Sequence, residues 1–434
     1  MKKNLDKSYD FSFITDDSKK CTNQSAFFLT KLNERYLQDA KKRGCRCILG
    51  AKEVSEIMGI NDIKIIGITG TNGKTTTAAA IYSILLDLGK RVALQGTRGC
   101  FINDKQISKK GLTTPTIFKT MQNIRQAISD KCEYFIMEVS SHAIEQNRID
   151  GLNFALKVFT NVSQDHLDYH KSLENYIKVK SSFFSDESSK LINKDESKIE
   201  FNPKNCRTYG VENPATYKVL AYTLNDGISA AVAKIDKVYE FSSPMHGFFN
   251  LYNILAAIGS VDMLGIASME EICKVVEDFA GVQGRMEIVS EEPLIIVDFA
   301  HTPDGMEKVL DSMKSKNTIV VFGAGGDRDR GKRAKMGFVA SKYAKKIVVT
   351  SDNPRSENPK EIIKDILKGI KNQESIKVET DRKKALLEAI KWQKSDEVLL
   401  VLGKGDETYQ EIKGDKIPFD DREIIKNFID GQNR

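Results

Sequence analysis

The sequence has a single tryptophan, only nine prolines and no long apolar run in its 434 residues. Nothing approaches the roughly 20 apolar residues that a membrane-spanning helix needs, so no membrane span is expected. Met1-Lys2-Lys3 is followed by polar residues rather than by an apolar signal core, and the expected location is cytoplasmic. The seven cysteines (Cys21, Cys45, Cys47, Cys100, Cys132, Cys206, Cys273) are scattered. Only Cys45 and Cys47 stand close together, and no second pair completes a zinc site; reduced thiols are the plain expectation. Charge of one sign is also scarce. Sixty-six basic residues against 60 acidic ones leave a net +6. The basic residues are interspersed with acids, not gathered into a stripe with aromatics, which argues against a nucleic-acid partner. Internal repeats, low-complexity segments and long Pro/Gly linkers are absent, so domain boundaries can be inferred only from changes of pattern.

What the chain does have is organised around Gly67-Ile68-Thr69-Gly70-Thr71-Asn72-Gly73-Lys74-Thr75-Thr76-Thr77. The apolar run 63–68 predicts a buried strand, and 78–88 predicts a helix that stops at Gly89. A glycine-rich turn between strand and helix leaves N–H groups free to cradle phosphate, with Lys74 reaching the terminal phosphates and the Thr75 hydroxyl on Mg²⁺. The strict pattern G-x-x-x-x-G-K-[ST] asks for glycine at 68, where this chain has Ile68. Strand, turn, helix, Lys and Thr nevertheless fall in order and predict an ATP or GTP site.

Length predicts two or three domains. Residues 1–59 read as a small mixed segment, with strands near 11–14, 26–29 and 47–49 and a helix over 33–43. It is small enough to lean on its neighbour. Residues 60–284 alternate strands (91–95, 134–138, 156–161) with helices (117–128, 250–264, 269–279), interrupted by several strands over 215–242. From 285 to 434 the apolar runs 294–297, 318–322, 347–350 and 398–402 are separated by helical stretches; Met306, Val309, Leu310 and Met313 share one helical face. Such alternation predicts mostly parallel sheets covered on both faces.

Chemistry-bearing residues gather at the strand ends, where α/β sheets place their ligands. Glu138 closes a strand and could hold Mg²⁺ opposite Thr75. Val139-Ser140-Ser141-His142 follows it, and Asp165-His166-Leu167-Asp168-Tyr169-His170 follows the next strand. Four of the five histidines (His142, His166, His170, His301) lie in or beside such turns. The stretch 323–333 (Gly-Ala-Gly-Gly-Asp-Arg-Asp-Arg-Gly-Lys-Arg) combines a tight turn with cations that could grip carboxylate or phosphate, or could merely be a solvated face. Ser351-Asp352-Asn353-Pro354-Arg355 offers an acid and a guanidinium fork suited to an amino acid, or an Asx turn closed by proline. Gly403-Lys404-Gly405-Asp406-Glu407 adds a third loop on the same side of the sheet.

Taken together, these motifs resemble the Mur ligases, ATP-dependent amide-forming enzymes of peptidoglycan synthesis. The resemblance rests on residues 70–76, Thr113-Thr114-Pro115, Glu138-Val139-Ser140-Ser141-His142-Ala143, Thr160-Asn161, the 165–170 run, Gly284-Arg285-Met286-Glu287, Asp298-Phe299-Ala300-His301-Thr302-Pro303-Asp304 and 323–333. It implies an α/β protein of three domains: a small N-terminal mixed domain (1–59) for the UDP-linked substrate, a central P-loop ATPase domain (60–284) and a C-terminal Rossmann-like domain (285–434) for the amino acid. It further implies ATP contacts from Gly70, Thr71, Asn72, Gly73, Lys74, Thr75, Thr76, Asn253 and Arg285. Catalytic roles fall to Lys74, Glu138, His166 and Lys180, with Mg²⁺ held through Thr75, Glu138, His166 and a carbamylated Lys180. Ser18, Thr113, Thr114, Ser140, Gln146 and Arg148 would hold a UDP-linked muramyl dipeptide. Arg333, Asp352, Asn353, Arg355, Gly403 and Glu407 would line a site for meso-diaminopimelate, whose extra carboxylate suits Arg355.

The chain departs from the family pattern in places. Lys19 stands where arginine is usual after Asp17-Ser18, Asp406 where histidine is more common, and the segments before 59 and around 187–246 are short. A monomer is expected. Rival readings are a lysine-adding member of the same family, a folylpolyglutamate synthetase, and a nucleic-acid-dependent P-loop ATPase.

Overall fold

A strand buried on both faces needs helices above and below it, and this chain supplies them around two large sheets. The computed structural model describes residues 9–103, 105–225, 227–314, 316–371 and 375–432, so the Met1-Lys2-Lys3 reading lies outside the described residues. At the centre of an eleven-stranded sheet, Lys64–Thr69 lies parallel between Tyr134–Glu138 and Phe154–Phe159. Val92–Gly96 continues the parallel set on one side, and Lys190–Asn193, Cys206–Gly210 and Tyr217–Thr223 continue it on the other. Antiparallel strands finish both edges: Ile228–Lys234 and Lys237–Ser243 at one, Gly99–Ile102 and Lys105–Ser108 at the other. Ile66 and Ile68 are fully buried against Ile81, Ile84 and Leu85 of the following helix, each side chain contributing about 1.5–3 kcal/mol.

Two local readings change. The helix after the glycine turn spans Lys74–Asp87, not 78–88, because Thr76 and Thr77 are buried helical residues rather than loop hydroxyls. The expected helix over 33–43 shortens to Leu37–Lys42 behind a 3₁₀ turn, Glu34–Tyr36. Asn33 ties the loop instead: Thr30 N–H donates to its Oδ1 at 2.8 Å, and its Nδ2 donates to Asp16 O and Phe28 O at 2.9 Å each. The small parallel sheet of Phe13–Thr15, Ser25–Phe28 and Cys47–Leu49 does lean on its neighbour. Ile14, Phe28 and Val54 share one apolar cluster with Ile65, Met121 and Phe135.

The C-terminal sheet has six strands in the order Glu287–Ser290, Ile295–Asp298, Glu397–Leu402, Asn317–Phe322, Lys346–Val349 and Ile376–Val378, and only its first pair is antiparallel. Strand alternation divides its core into two layers. Val398, Leu400 and Leu402 pack with Met306, Leu310, Met336 and Ile366, whereas Leu399 and Val401 pack with Leu386, Ala389 and Ile425. The strand ends Asp298, Phe322, Val349 and Leu402 therefore open in one direction, and the loops that follow them stand together. Among the described residues no helix is long and apolar enough to cross a membrane.

Candidate active site

The glycine turn is seated on the loop that follows Phe154–Phe159. Asn72 N–H donates to Asn161 Oδ1 at 2.9 Å, and Thr160 Oγ1 donates to Asn72 O at 2.6 Å. Ser163 N–H donates to Thr71 Oγ1 at 3.0 Å. Two glycines are needed sterically: a Cβ on Gly70 would lie 1.9 Å from Thr160 Oγ1, and one on Gly73, at φ +84°, 2.3 Å from Asn253 Oδ1. Ile68 is fully buried one strand residue earlier, so the turn is carried by Gly70 and Gly73. Asn253 is itself oriented, its Nδ2 donating to Asn250 Oδ1 at 2.9 Å. Lys74 folds back over the turn and donates to Gly70 O at 2.8 Å and Thr71 O at 3.0 Å. Burial lowers its pKa, while the charges of Glu138 and Asp165 oppose that shift.

Two side-chain pairs stand next to Lys74. Thr75 Oγ1 donates to Glu138 Oε2 at 2.9 Å, and Thr97 fixes the same carboxylate through its N–H (2.8 Å) and Oγ1 (3.1 Å). A cleft of about 320 Å³ opens beside this pair, between the helix residues Ala79, Tyr82 and Leu86 and the segment 278–282. In the second pair His166 Nε2 lies 3.3 Å from Asp165 Oδ2, with His166 in the left-handed region at φ +54°. Burial pushes the His166 imidazole down to about 4, so it is a neutral donor–acceptor. Burial raises Asp165, but His166, His301 and Lys332 outweigh it and hold the carboxyl below its ordinary value. No cluster of three or more His, Cys, Asp or Glu able to hold a metal occurs among the described residues. A hydroxyl–carboxylate pair beside a phosphate cradle still fits Mg²⁺, which takes few protein ligands and completes its shell with phosphate and water. Lys180 is buried against the Tyr176 ring, 4.7 Å from its centroid. Burial, and then the Lys74 charge, lower its pKa well below that of an ordinary lysine.

On the side of the small N-terminal sheet, Thr114 Oγ1 donates to Glu138 O at 2.9 Å and accepts from Ser140 N–H at 3.0 Å. Thr113 Oγ1 is 3.2 Å from Thr97 Oγ1. Arg148 Nη1 donates to Thr114 O at 3.0 Å, its Nη2 donates to Gln146, and its buried Nε has no hydrogen-bond partner among the described residues. A small hollow beyond joins Gln146 and Arg148 to Asp16, Thr30 and Asn33 of the N-terminal segment. Ser18 is buried in that segment's first 3₁₀ turn, Ser18–Lys20.

Across the domain boundary three C-terminal loops meet. Asn353 Nδ2 donates to Glu407 Oε2 at 2.8 Å, and the fully buried Lys404 donates to Asn353 Oδ1 (3.0 Å) and Glu407 Oε2 (3.1 Å). Asp352 Oδ2 is buried without a hydrogen-bond partner among the described residues, and a Cβ on Gly403 would lie 2.6 Å from it. Burial raises Asp352, yet Lys404 and Arg382 dominate and keep it ionised. Arg355, at φ +52°, donates through Nε to Glu411 at 3.2 Å and through Nη1 to Gly326 O at 2.7 Å. Arg333 is different. It is fully buried, with Nη1 and Nη2 on Glu357 at 3.0 and 2.7 Å and Nη1 on Asp365 at 3.2 Å, so its guanidinium ties Glu357 to the helix Pro359–Leu367 that follows it. Arg285 stacks on the Phe299 ring at 4.3 Å.

Asp304, His301, Lys332 and Lys404, none of them assigned a specific ligand or step from the sequence, also stand in this site. All lie in motifs whose composition was visible; only the fold reveals that His301 and Lys332 face Asp165 of the other domain. The arrangement can hold a nucleotide's phosphates on one side of a seam and an amino acid's charged groups on the other.

Known proteins resemble the chain over most of its length. Residues 68–261 match the Mur ligase middle domain, and 284–405 match the Mur ligase glutamate ligase domain. The UDP-N-acetylmuramoyl-L-alanyl-D-glutamate–2,6-diaminopimelate ligase of Wolinella succinogenes is 54% identical over 413 residues, covering 95% of each chain. The enzyme of the same name from Helicobacter pylori is 50% identical over 429 residues, covering 96% of each. A solved structure of a diaminopimelate ligase of that name superposes with a TM-score of 0.70 at 28% identity, covering 98% of this chain and 96% of the other.

Proposed function

The chain belongs to the Mur ligase family, and on that premise we propose that it joins meso-diaminopimelate to UDP-N-acetylmuramoyl-L-alanyl-D-glutamate, with ATP as phosphoryl donor. The observation that carries this reading is the pairing, across one seam, of a phosphate cradle (Gly70 to Thr75, with Glu138) and an amino-acid pocket (Asp352, Asn353, Arg355, Glu407). Thr114, Ser140 and Arg148, with its free Nε, hold the muramyl dipeptide so that its D-glutamyl carboxylate faces the cradle. That carboxylate attacks the terminal phosphate while Lys74 and the turn's N–H groups balance the charge, giving an acyl phosphate and ADP. The amine of diaminopimelate, oriented by Asp352 and Asn353, then attacks the acyl carbon, and phosphate leaves. Arg355 grips the distal carboxylate through a planar fork, the feature that favours diaminopimelate over lysine.

Thr75, Glu138 and His166 are the residues that would hold Mg²⁺, which supplies charge neutralisation between two anionic reactants. Burial and the Lys74 charge lower the Lys180 pKa, which favours the free amine that carbamylation requires, and the carbamate would add a carboxylate beside Lys74. The protein works in the cytoplasm as a monomer. Purified protein, Mg-ATP and the UDP-dipeptide should release ADP with meso-diaminopimelate and far more slowly with L-lysine or L-glutamate. Faster release with L-lysine would overturn the specificity, and no release with any amino acid would overturn the reading.

A further inference from the structure

One contact across the seam lies outside this machinery. Asp406, in the loop of Lys404 and Glu407, meets Lys110 of the central domain: Lys110 Nζ donates to Asp406 Oδ1 at 3.1 Å, and Arg98 Nε is 3.9 Å from Oδ2. The Asp406 side chain is only 12% exposed and Lys110 28%, so solvent screens the pair weakly. The backbone around Asp406 is fixed independently. A Cβ on Gly284, where the chain passes between the two domains, would lie 2.1 Å from Asp406 N, and one on Gly405 would lie 2.6 Å from Gly284 O and 2.8 Å from Phe299 Cβ. Lys110 also lies over the Phe299 ring, 5.5 Å from its centroid, with Arg285 on the same ring at 4.3 Å. The lysine is thus held by a carboxylate and a ring that both belong to the C-terminal domain.

Sequence position gives the contact its meaning. Lys110 stands three residues before Thr113 and four before Thr114, whose hydroxyls meet Thr97, Glu138 and Ser140 on the dipeptide side. Asp406 stands three residues after Gly403 and next to Glu407, which line the amino-acid pocket. We propose that Asp406 and Lys110, with Arg98 behind them, are positioning residues that lock the dipeptide loop and the amino-acid loop into one register, so that the carboxyl to be activated and the incoming amine are presented together. The proposal rests on the functional reading above and adds a coupling between its two substrate loops. Neither side chain touches a substrate; the pair acts through Thr113–Thr114 and Glu407.

The test is a charge swap. Asp406→Lys and Lys110→Asp are each expected to lower kcat/KM for meso-diaminopimelate about tenfold, a usual size for coupling between sites, and to leave the dissociation constant for ATP within about twofold. The double variant Lys110→Asp/Asp406→Lys re-forms the pair with reversed polarity against the unchanged charge of Arg98 and should recover part of the loss, which misfolding would not do. Calorimetry should show that dipeptide tightens diaminopimelate binding in the wild type and in the double variant but not in either single one. Asp406→Asn, which keeps shape and removes charge, should behave like Asp406→Lys; thermal unfolding identifies any variant that fails to fold. Single variants that match the wild type in turnover and linked binding would overturn the inference alone. A double variant no better than the poorer single one would also overturn it. A wild type that binds neither compound would instead overturn the functional reading.

Discussion

Asn72 and Asp304 meet across the domain boundary: Asn72 Nδ2 donates to Asp304 Oδ2 at 2.7 Å, over a separation of 232 residues. The same oxygen accepts from Ser163 Oγ at 2.9 Å and Lys308 Nζ at 3.0 Å. Asp304 lies in the first turn of the helix Pro303–Ser312, where the helix dipole favours a carboxylate. Its two partners on the other domain belong to the cradle and the loop beneath it, which are already bonded to each other, so this one carboxylate links the C-terminal domain to both parts of the phosphate site.

Removing that grip should cost turnover. Asp304→Ala loses two hydrogen bonds from the central domain to an anion, worth about 1.5–3 kcal/mol apiece at most, and kcat/KM should fall roughly ten- to a hundredfold. Steady-state ADP release reads this directly, and Asp304→Glu should recover part of it. A kcat/KM unchanged in Asp304→Ala would show that closure does not depend on the contact.

A second expectation concerns acid. His142 stands amid Tyr169 (4.2 Å between ring centroids), His166 (5.0 Å) and His170 (5.5 Å). Burial lowers the pKa of all three histidines, His166 to about 4; Glu145, 3.5 Å from His170, opposes the shift there only in part. A folded-state pKa below the unfolded one means that the unfolded chain binds more protons in the interval. Stability is therefore complete above about pH 6.5 and lost as pH falls toward about pH 4. Urea unfolding at about pH 7.5 and about pH 5 should show this loss, and His170→Gln should reduce it. Equal stability of the wild type at both values would refute it.

These expectations differ in how far the sequence announced them. The cradle was legible because strand, turn and helix are consecutive, and its glycines have local reasons to be glycine. The hairpin Gly99–Ile102 and Lys105–Ser108 was not, since its outer strand is polar and exposed and carries no alternation. Arg333 reads like Arg355 as a cation in a glycine-rich neighbourhood, yet the fold spends it on Glu357 and Asp365. Contacts such as Asn72–Asp304 and Lys110–Asp406 depend on how two sheets face each other, which no local pattern encodes.

Arg355 tests substrate choice. Its backbone is held in the left-handed region by bonds to the 411–413 segment: Arg355 N–H donates to Glu411 O at 3.0 Å, and Lys413 N–H donates to Arg355 O at 2.7 Å. The guanidinium is therefore aimed by its main chain. Arg355→Ala should raise KM for meso-diaminopimelate by about tenfold or more while ATP affinity stays nearly constant, and Arg355→Lys should recover little because it lacks the fork. Equal losses toward both ligands would count against the role.

The loops that carry Asp352 and Gly403 also rest on a buried pair beneath them. Arg382 and Asp421 are both fully buried and joined twice, Nε to Oδ1 at 2.9 Å and Nη2 to Oδ2 at 2.7 Å. The guanidinium also donates to Ser351 O at 3.3 Å and Leu402 O at 3.0 Å, the carbonyls just ahead of Asp352 and Gly403. Removing one partner strands a buried charge: Asp421→Ala should destabilise the protein by about 3–5 kcal/mol, measurable by urea unfolding. Replacing both, as in Arg382→Met/Asp421→Leu, removes the stranded charge and should return most of that stability. It cannot restore the bonds to the two carbonyls, so the double variant should remain folded with a raised KM for the amino acid and an unaltered affinity for ATP. A double variant as unstable as Asp421→Ala would mean that the carbonyl bonds, not the ion pair, hold this corner of the domain together.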